Sequence, residues 1–175
     1  MSIGSHQKSI GLSQNHCTPK WLLDHLGDFD LDPCAADPRP WDCAKCNITE
    51  AEDGLSKPWH GTVFLNPPFD RRIVGLWIRR LAEHGNGIAL LHARTEAEWF
   101  EPCWRSASMI LFMADRIKFC KADGTEHSAN SGAPPVLVGF GASGAARLER
   151  CTIPGALVKV WQWRDHDVIT ARRAA

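Results

Sequence analysis

Residues 62–70 read TVFLNPPFD: an apolar run is stopped by Asn66, Pro67 and Pro68, and an aromatic ring, Phe69, follows at once. Each proline fixes its own φ and has no N–H. Pro67 also holds Asn66 in an extended conformation. The outcome is a stiff segment whose carbonyls point in set directions and lack local donors. The Asn66 side chain adds a neutral amide with an acceptor oxygen. Together Asn66 Oδ1 and the Pro67 carbonyl can accept both protons of one exocyclic amino group, and Phe69 offers a flat face on which a ring can stack. A plain turn accounts for Asn-Pro, because both residues favour turns. It does not account for a second proline and an aromatic.

An exocyclic amine on an aromatic ring is a poor nucleophile, because its lone pair is delocalised. Two acceptors on its hydrogens pull the nitrogen toward tetrahedral geometry and localise that pair. They also stabilise the positive charge that develops when a methyl group arrives, which is preorganised electrostatics aimed at the transition state. No strong base is needed, since proton loss can follow transfer.

The elements around this segment have to hold it still. Thr18 and Pro19 read as N-cap and first residue of a helix over KWLLDHL, ended by Gly27. FDLDPCAA reads as a short strand ending at Pro33. Residues 37–60 carry Pro38, Pro40, Gly54 and Pro58 and read as irregular, a length of loop that is usually functional. TVFL is a strand, and residues 71–84 have helical spacing through Ile73, Leu76, Trp77 and Leu81. IALLHA is a buried strand, residues 96–104 a helix, and SMILFMA a strand, with RIKFC close behind it. Residues 123–134 form a polar loop able to reach bases. VLVGF and ALVKVWQW close the chain as strands with no long helix between them, and Trp161 and Trp163 share a packed face.

This alternation predicts an α/β fold: a single-domain, Rossmann-like arrangement with a mainly parallel sheet and some antiparallel pairing near the C-terminus. The expected divisions are an N-terminal arm (1–16), one domain (17–165) and a tail (166–175). In open α/β sheets ligands bind outside the carboxyl ends of strands. Two sharp stops fall there, one at Asp32, Pro33 and Cys34, the other at residues 66–69.

The 175 residues fit one domain, and 44% of them are hydrophobic, enough for a core. Twenty acids balance twenty bases, so any contact with nucleic acid must come from a local patch. Arg71 and Arg72 follow the site and could meet phosphates. Arg94, Arg105, Arg116, Lys118 and Lys121 could extend that patch. No apolar run is long enough to span a bilayer and no signal peptide is evident, so the chain reads as cytosolic. Its seven cysteines read as reduced thiols. A zinc site from Cys34, Cys43, Cys46 and His60 would need a second CxxC or a close histidine pair, which is missing, so no metal is expected.

Residues 66–69 resemble the NPPY/F motif of S-adenosylmethionine-dependent amino methyltransferases. TPKWLLDHLGDFDLDPCAADP, ITEAEDGLSKPW, TVFLNPPF, GIALLHARTEAEWF and ILFMADRIKF, in that order, resemble the phage-type DNA N6-adenine methyltransferase (Dam-like) family. The resemblance implies S-adenosyl-L-methionine as cofactor and double-stranded DNA as partner, in the cytoplasm of a bacterial host or prophage, with GATC as the suggested site. It implies that Asn66, Pro67, Pro68 and Phe69 hold the target amine of a flipped-out base. Asp32, Pro33, Cys34 and Ala35 match the family's first cofactor segment. Thr18 and Pro19 match a segment closing over the methionine end of the cofactor. Glu50 and Asp53 fall where acids contact its ribose or adenine, and Arg116 and Phe119 match a segment near DNA. Two departures stand out. No glycine follows Asp32, and His92 stands where the family often has Pro, reading as a strand-end histidine. The same amine chemistry would also serve cytosine N4 or a protein glutamine, and a catalytically silent DNA-binding module is the reading from another class. The oligomeric state is left open.

Overall fold

The computed structural model describes residues 16–161. The rest of the expected arm, the tail and Trp163 lie outside the described residues. A first helix, α1 (Lys20–Leu26), leads into strands β1 (Leu31–Ala35) and β2 (Cys46–Thr49). After a 3-10 turn at Glu50–Glu52 come β3 (Val63–Leu65), α2 (Val74–His84) and β4 (Gly87–His92). A 3-10 turn (Glu98–Phe100) and α3 (Glu101–Ser106) then lead to β5 (Ala107–Met113) and β6 (Pro135–Phe140). The described residues close with α4 (Gly141–Arg150) and β7 (Gly155–Lys159).

The strands form one seven-stranded sheet in the order β2-β1-β3-β4-β6-β5-β7. The ladders β1/β2, β1/β3 and β3/β4 are parallel. Those of β4/β6, β5/β6 and β5/β7 are antiparallel. The sheet is thus mixed, parallel in its first half and antiparallel in its second.

Both faces are covered, which is why the central strands read as continuous apolar runs rather than alternating ones. One core joins Val63, Leu65, Ala89 and Leu91 to Val74, Ile78 and Leu81 of α2 and Cys103 of α3. The other joins Phe64, Ile88 and Leu90 to Leu22 and Leu26 of α1 and Leu148 of α4. The stripe Val74, Trp77, Ile78 and Leu81 keeps helical spacing and is buried, each large side chain contributing about 1.5–3 kcal/mol on burial. Gly85 stops α2 in the left-handed region at φ 73°.

The chain leaves β1 toward β2 on one side, and leaves β3 toward β4 on the other. Between β1 and β3 the connections diverge, which makes a crevice at the carboxyl ends of these two strands, the place where open α/β sheets bind ligands. The segments after β1 and β3 flank that crevice.

Several expectations are corrected. Strand β1 does not end at Pro33 but runs to Ala35, because its ladder shifts register between Asp32 and Ala35, where the proline can give no N–H. The stretch 37–60 is not wholly irregular. It contains the edge strand β2, whose four residues bury only Ile48 and so show no alternation. A helix does lie between the last two strands. Helix α4 (GASGAARLER) is rich in Ala, Arg, Leu and Glu, but Gly141, Ser143 and Gly144 break up its first turn, and it fits closely, since a Cβ on Gly144 would lie 2.3 Å from the Gly87 carbonyl oxygen. The helix expected at 96–104 divides at Glu101, and α2 starts at Val74 instead of Arg71. Trp161 is 83% exposed and not packed in the core: it lies two residues beyond β7, itself an edge strand open to solvent along its length.

Candidate active site

Asn66 is the first residue after β3, so the rigid central strand fixes its position. Its side-chain N–H groups donate to the His16 carbonyl at 3.1 Å and to Thr18 Oγ1 at 3.2 Å. A carbonyl can only accept, so the first of these bonds decides which end of the amide is nitrogen. Oδ1 is then left buried without a hydrogen-bond partner among the described residues. A buried acceptor left unpaired costs about 1–3 kcal/mol, and such orphans call for a partner from outside the chain. Thr18 therefore does not cap α1, whose N-cap is Pro19. Its hydroxyl orients Asn66 instead. Pro67 is buried, while Phe69 is half-buried with its ring parallel to His92, centroids 3.9 Å apart. Phe119, buried, is tilted against Phe69 at 6.4 Å, and His16 packs on Phe119 and on His127. His16 Nδ1 and His127 Nε2 are further buried atoms without partners among the described residues.

The end of β1 faces this cluster. The Cys34 thiol donates to the Asn66 carbonyl at 3.2 Å, which ties the two strand ends together. Asp32 is 3% exposed. Its Oδ1 accepts the Cys34 N–H at 2.9 Å, and the Cys43 thiol also donates to its carboxylate. Burial raises its pKa to about 6, against the opposing pull of the Cys34 and Cys43 hydrogen bonds and the Arg39 charge. The Cys34 thiol is pushed well above its ordinary value by burial, then by the nearby Asp32, Cys43 and Glu50. Pro33 and Ala35 are buried. Gly54 sits on Pro33 so closely that a Cβ would lie 1.8 Å from the Pro33 carbonyl oxygen. This brings the turn carrying Glu50 and Asp53, both exposed, onto the end of β1. Asp53 holds a left-handed φ of 54°. Trp41 Nε1 donates to the Thr18 carbonyl at 3.0 Å and ties the following loop to the segment before α1.

The chain matches the family described as DNA N-6-adenine-methyltransferase (Dam) over residues 13–145, most of its length. It belongs to that family. Among curated proteins and among solved structures, none matches it significantly. The matched span takes in every segment at the crevice of this Dam-family chain, and membership gives the class of enzyme: a methyltransferase for adenine in DNA.

In the Dam-family chain the expected DNA-facing cations are not equivalent. Arg71 is exposed, with no partner among the described residues. Arg72 is held by Asp70, whose carboxyl that pairing lowers to about 2. Arg94 is half-buried. Arg116 donates to the Ser131 carbonyl at 3.2 Å, and Lys118 stands 3.8 Å from Glu126. Strand β5 runs in the same direction as β4, so the loop carrying Arg116, Lys118, Phe119 and His127 leaves the sheet at the same end as Asn66. Sequence reasoning had no role for His16, Trp41, His92 or His127. Only His92 lies in one of the family segments, where it read as a strand-end histidine, and only folding brings these residues to the end of the sheet that carries Asn66 and Phe69. Among the described residues no group of three or more His, Cys, Asp or Glu is placed to hold a metal ion. No helix there is long and apolar enough to cross a membrane.

Proposed function

We propose that this Dam-family enzyme transfers a methyl group from S-adenosyl-L-methionine to N6 of an adenine flipped out of double-stranded DNA. The observation that carries this reading is the buried, unpartnered Oδ1 of Asn66. An exocyclic amine is a partner of the right kind: it donates, it is neutral, and it gains from an acceptor as positive charge develops. Asn66 Oδ1 and the Pro67 carbonyl accept the two amine protons and localise the nitrogen lone pair. Phe69 stacks on the base. Thr18 and the His16 carbonyl hold the amide so that oxygen, not nitrogen, faces the amine. The proton released after transfer leaves to solvent.

The crevice between β1 and β3 suits the cofactor chemically. S-adenosylmethionine carries a sulfonium and an ammonium, and the residues around the strand ends offer oxygen atoms: the exposed carboxylates of Glu50 and Asp53, the buried charge of Asp32, and the Asn66 and Pro67 carbonyls. When bound, the cofactor supplies an electrophilic methyl group. Pro33, Cys34 and Ala35 shape the floor, and Thr18 and Pro19 close one side. Asp32 acts through its charge and through the turn it makes with the Cys34 N–H. Arg71 meets the DNA backbone, with Arg72, Arg94, Arg116 and Lys118 around the same end of the sheet, and GATC is the first site to assay.

Methyl transfer from labelled S-adenosylmethionine to unmethylated DNA, followed by nucleoside analysis, tests the reading. N6-methyladenine is the expected product. Asn66→Ala should lower the rate by about 10²–10³-fold, the usual cost of removing one preorganised charge-stabilising group. N4-methylcytosine as product, or an active Asn66→Ala variant, would overturn it.

A further inference from the structure

Phe69 is already stacked before any base arrives. His92, the last residue of β4, lies parallel to it, with centroids 3.9 Å and planes 12° apart. That separation admits no third ring. Phe69 also packs against the buried cluster that contains Phe119. At the same time Asn66 Oδ1 is sealed from solvent, so an amine reaches it only after a neighbouring group has moved. The neighbours differ in how firmly they are held. Phe119 is buried, and its carbonyl accepts the His127 N–H at 2.9 Å. The His92 side chain is half-buried, sits at a strand end and makes no hydrogen bond among the described residues. Among the described residues the stack on Phe69 is its one ring contact.

We propose that His92 is a stand-in for the target base: its imidazole covers the Phe69 face in the resting enzyme and gives that face up when the base enters. The proposal rests on the reading of Phe69 as the base's stacking partner. An imidazole is flat and heteroaromatic, as a base is. Burial, with Arg94 and His16 nearby, lowers the His92 pKa to about 4, so the ring stacks uncharged at neutral pH. Covering Phe69 keeps an apolar face out of water between turnovers. It also makes base capture a competition, since apparent affinity falls with the fraction of molecules whose site is open.

The test uses the full chain and a duplex carrying fluorescent 2-aminopurine at the adenine that the wild type methylates. Fluorescence rises when that base leaves the stack. His92→Ala should reach half-maximal capture with about two- to tenfold less protein than wild type, the range an aromatic pair is worth. It should also lower KM for DNA without lowering kcat. His92→Phe, a firmer cover, should need more protein than wild type. If His92→Ala captures no better than wild type, or loses kcat, His92 is a support for Phe69 and the proposal is wrong. Phe69→Ala measured alongside separates the two readings. If it captures the base as well as wild type, Phe69 is not the stacking partner, and both readings fall. If it loses capture while His92→Ala gains nothing, only the role of His92 falls.

Discussion

In β1, the buried carboxylate of Asp32 is met by the Cys34 N–H and the Cys43 thiol. At the end of β3, the neighbouring strand, Asn66 buries an acceptor oxygen that no described group meets. Asp32 lies within β1 and Asn66 directly follows β3, and both are held by the backbone of the central sheet. One end is closed by its own chain and serves as shaped scaffold. The other is left incomplete at a cost in stability, and an unpaired group of this kind is what an incoming substrate can complete. Three of the four buried polar atoms without partners among the described residues, on His16, Asn66 and His127, gather at the end where the chemistry is assigned, as expected for a site held in readiness, and the fourth is Arg80 Nε on α2.

The largest stability effect should come from the closed end. Asp32 titrates near 4 when unfolded and at about 6 when folded. Between these values the folded chain holds the extra proton, so stability falls as pH rises from about 4 to about 6 and stays lowered above that. Asp32→Asn cannot ionise. It should gain on the order of 3 kcal/mol over wild type at pH 7–8 and nothing below pH 4. Urea melts at both pH values check this, and an equal difference at the two would remove the buried-charge account.

A smaller effect is expected at the open end. Thr18→Val removes one acceptor of the Asn66 amide and should cost about 1 kcal/mol of stability. Its distinguishing mark is in activity: with the amide free to turn, kcat should fall severalfold while KM for the cofactor holds. A fall in stability with kcat unchanged would mean that Thr18 only packs.

The smallest effect sets the two arginines after the site against each other. Arg71 has no partner among the described residues, and Arg72 is neutralised by Asp70. Arg71→Ala should reduce the slope of log affinity for DNA against log salt by about 1. Arg72→Ala should change it by less, and equal changes would show that the Asp70 pairing opens on DNA.

The residues of the site were far more legible in the sequence than their partnerships. Asn66, Pro67, Pro68 and Phe69 announce their chemistry because proline stiffness and an amide oxygen are properties of adjacent residues. Helix α1 and the strands β3, β4 and β5 were likewise visible, since long apolar stretches and Gly or Pro stops are local signals. Strand β2 was hidden because an edge strand with one buried side chain has no pattern. Helix α4 was hidden because glycines in its first turn read as loop, whereas Gly141 is set by close approach to Gly85 and Gly144 by close approach to Gly87 and Gly139. Thr18 looked like a helix cap, and local spacing could not show that its hydroxyl serves a residue 48 positions away.

By itself, then, the sequence determined which chemistry is on offer: a rigid acceptor pair beside an aromatic ring, an acid on the first strand, and the ordered segments of the Dam family. Tertiary structure alone decided which acceptor is left unpaired, which acid is already engaged, and that His92 lies over Phe69. The physical reason is that hydrogen-bond satisfaction, desolvation and ring stacking depend on distances between strands. Residues 16, 18, 32, 66, 92 and 119 become neighbours only when the parallel sheet sets its strand ends side by side.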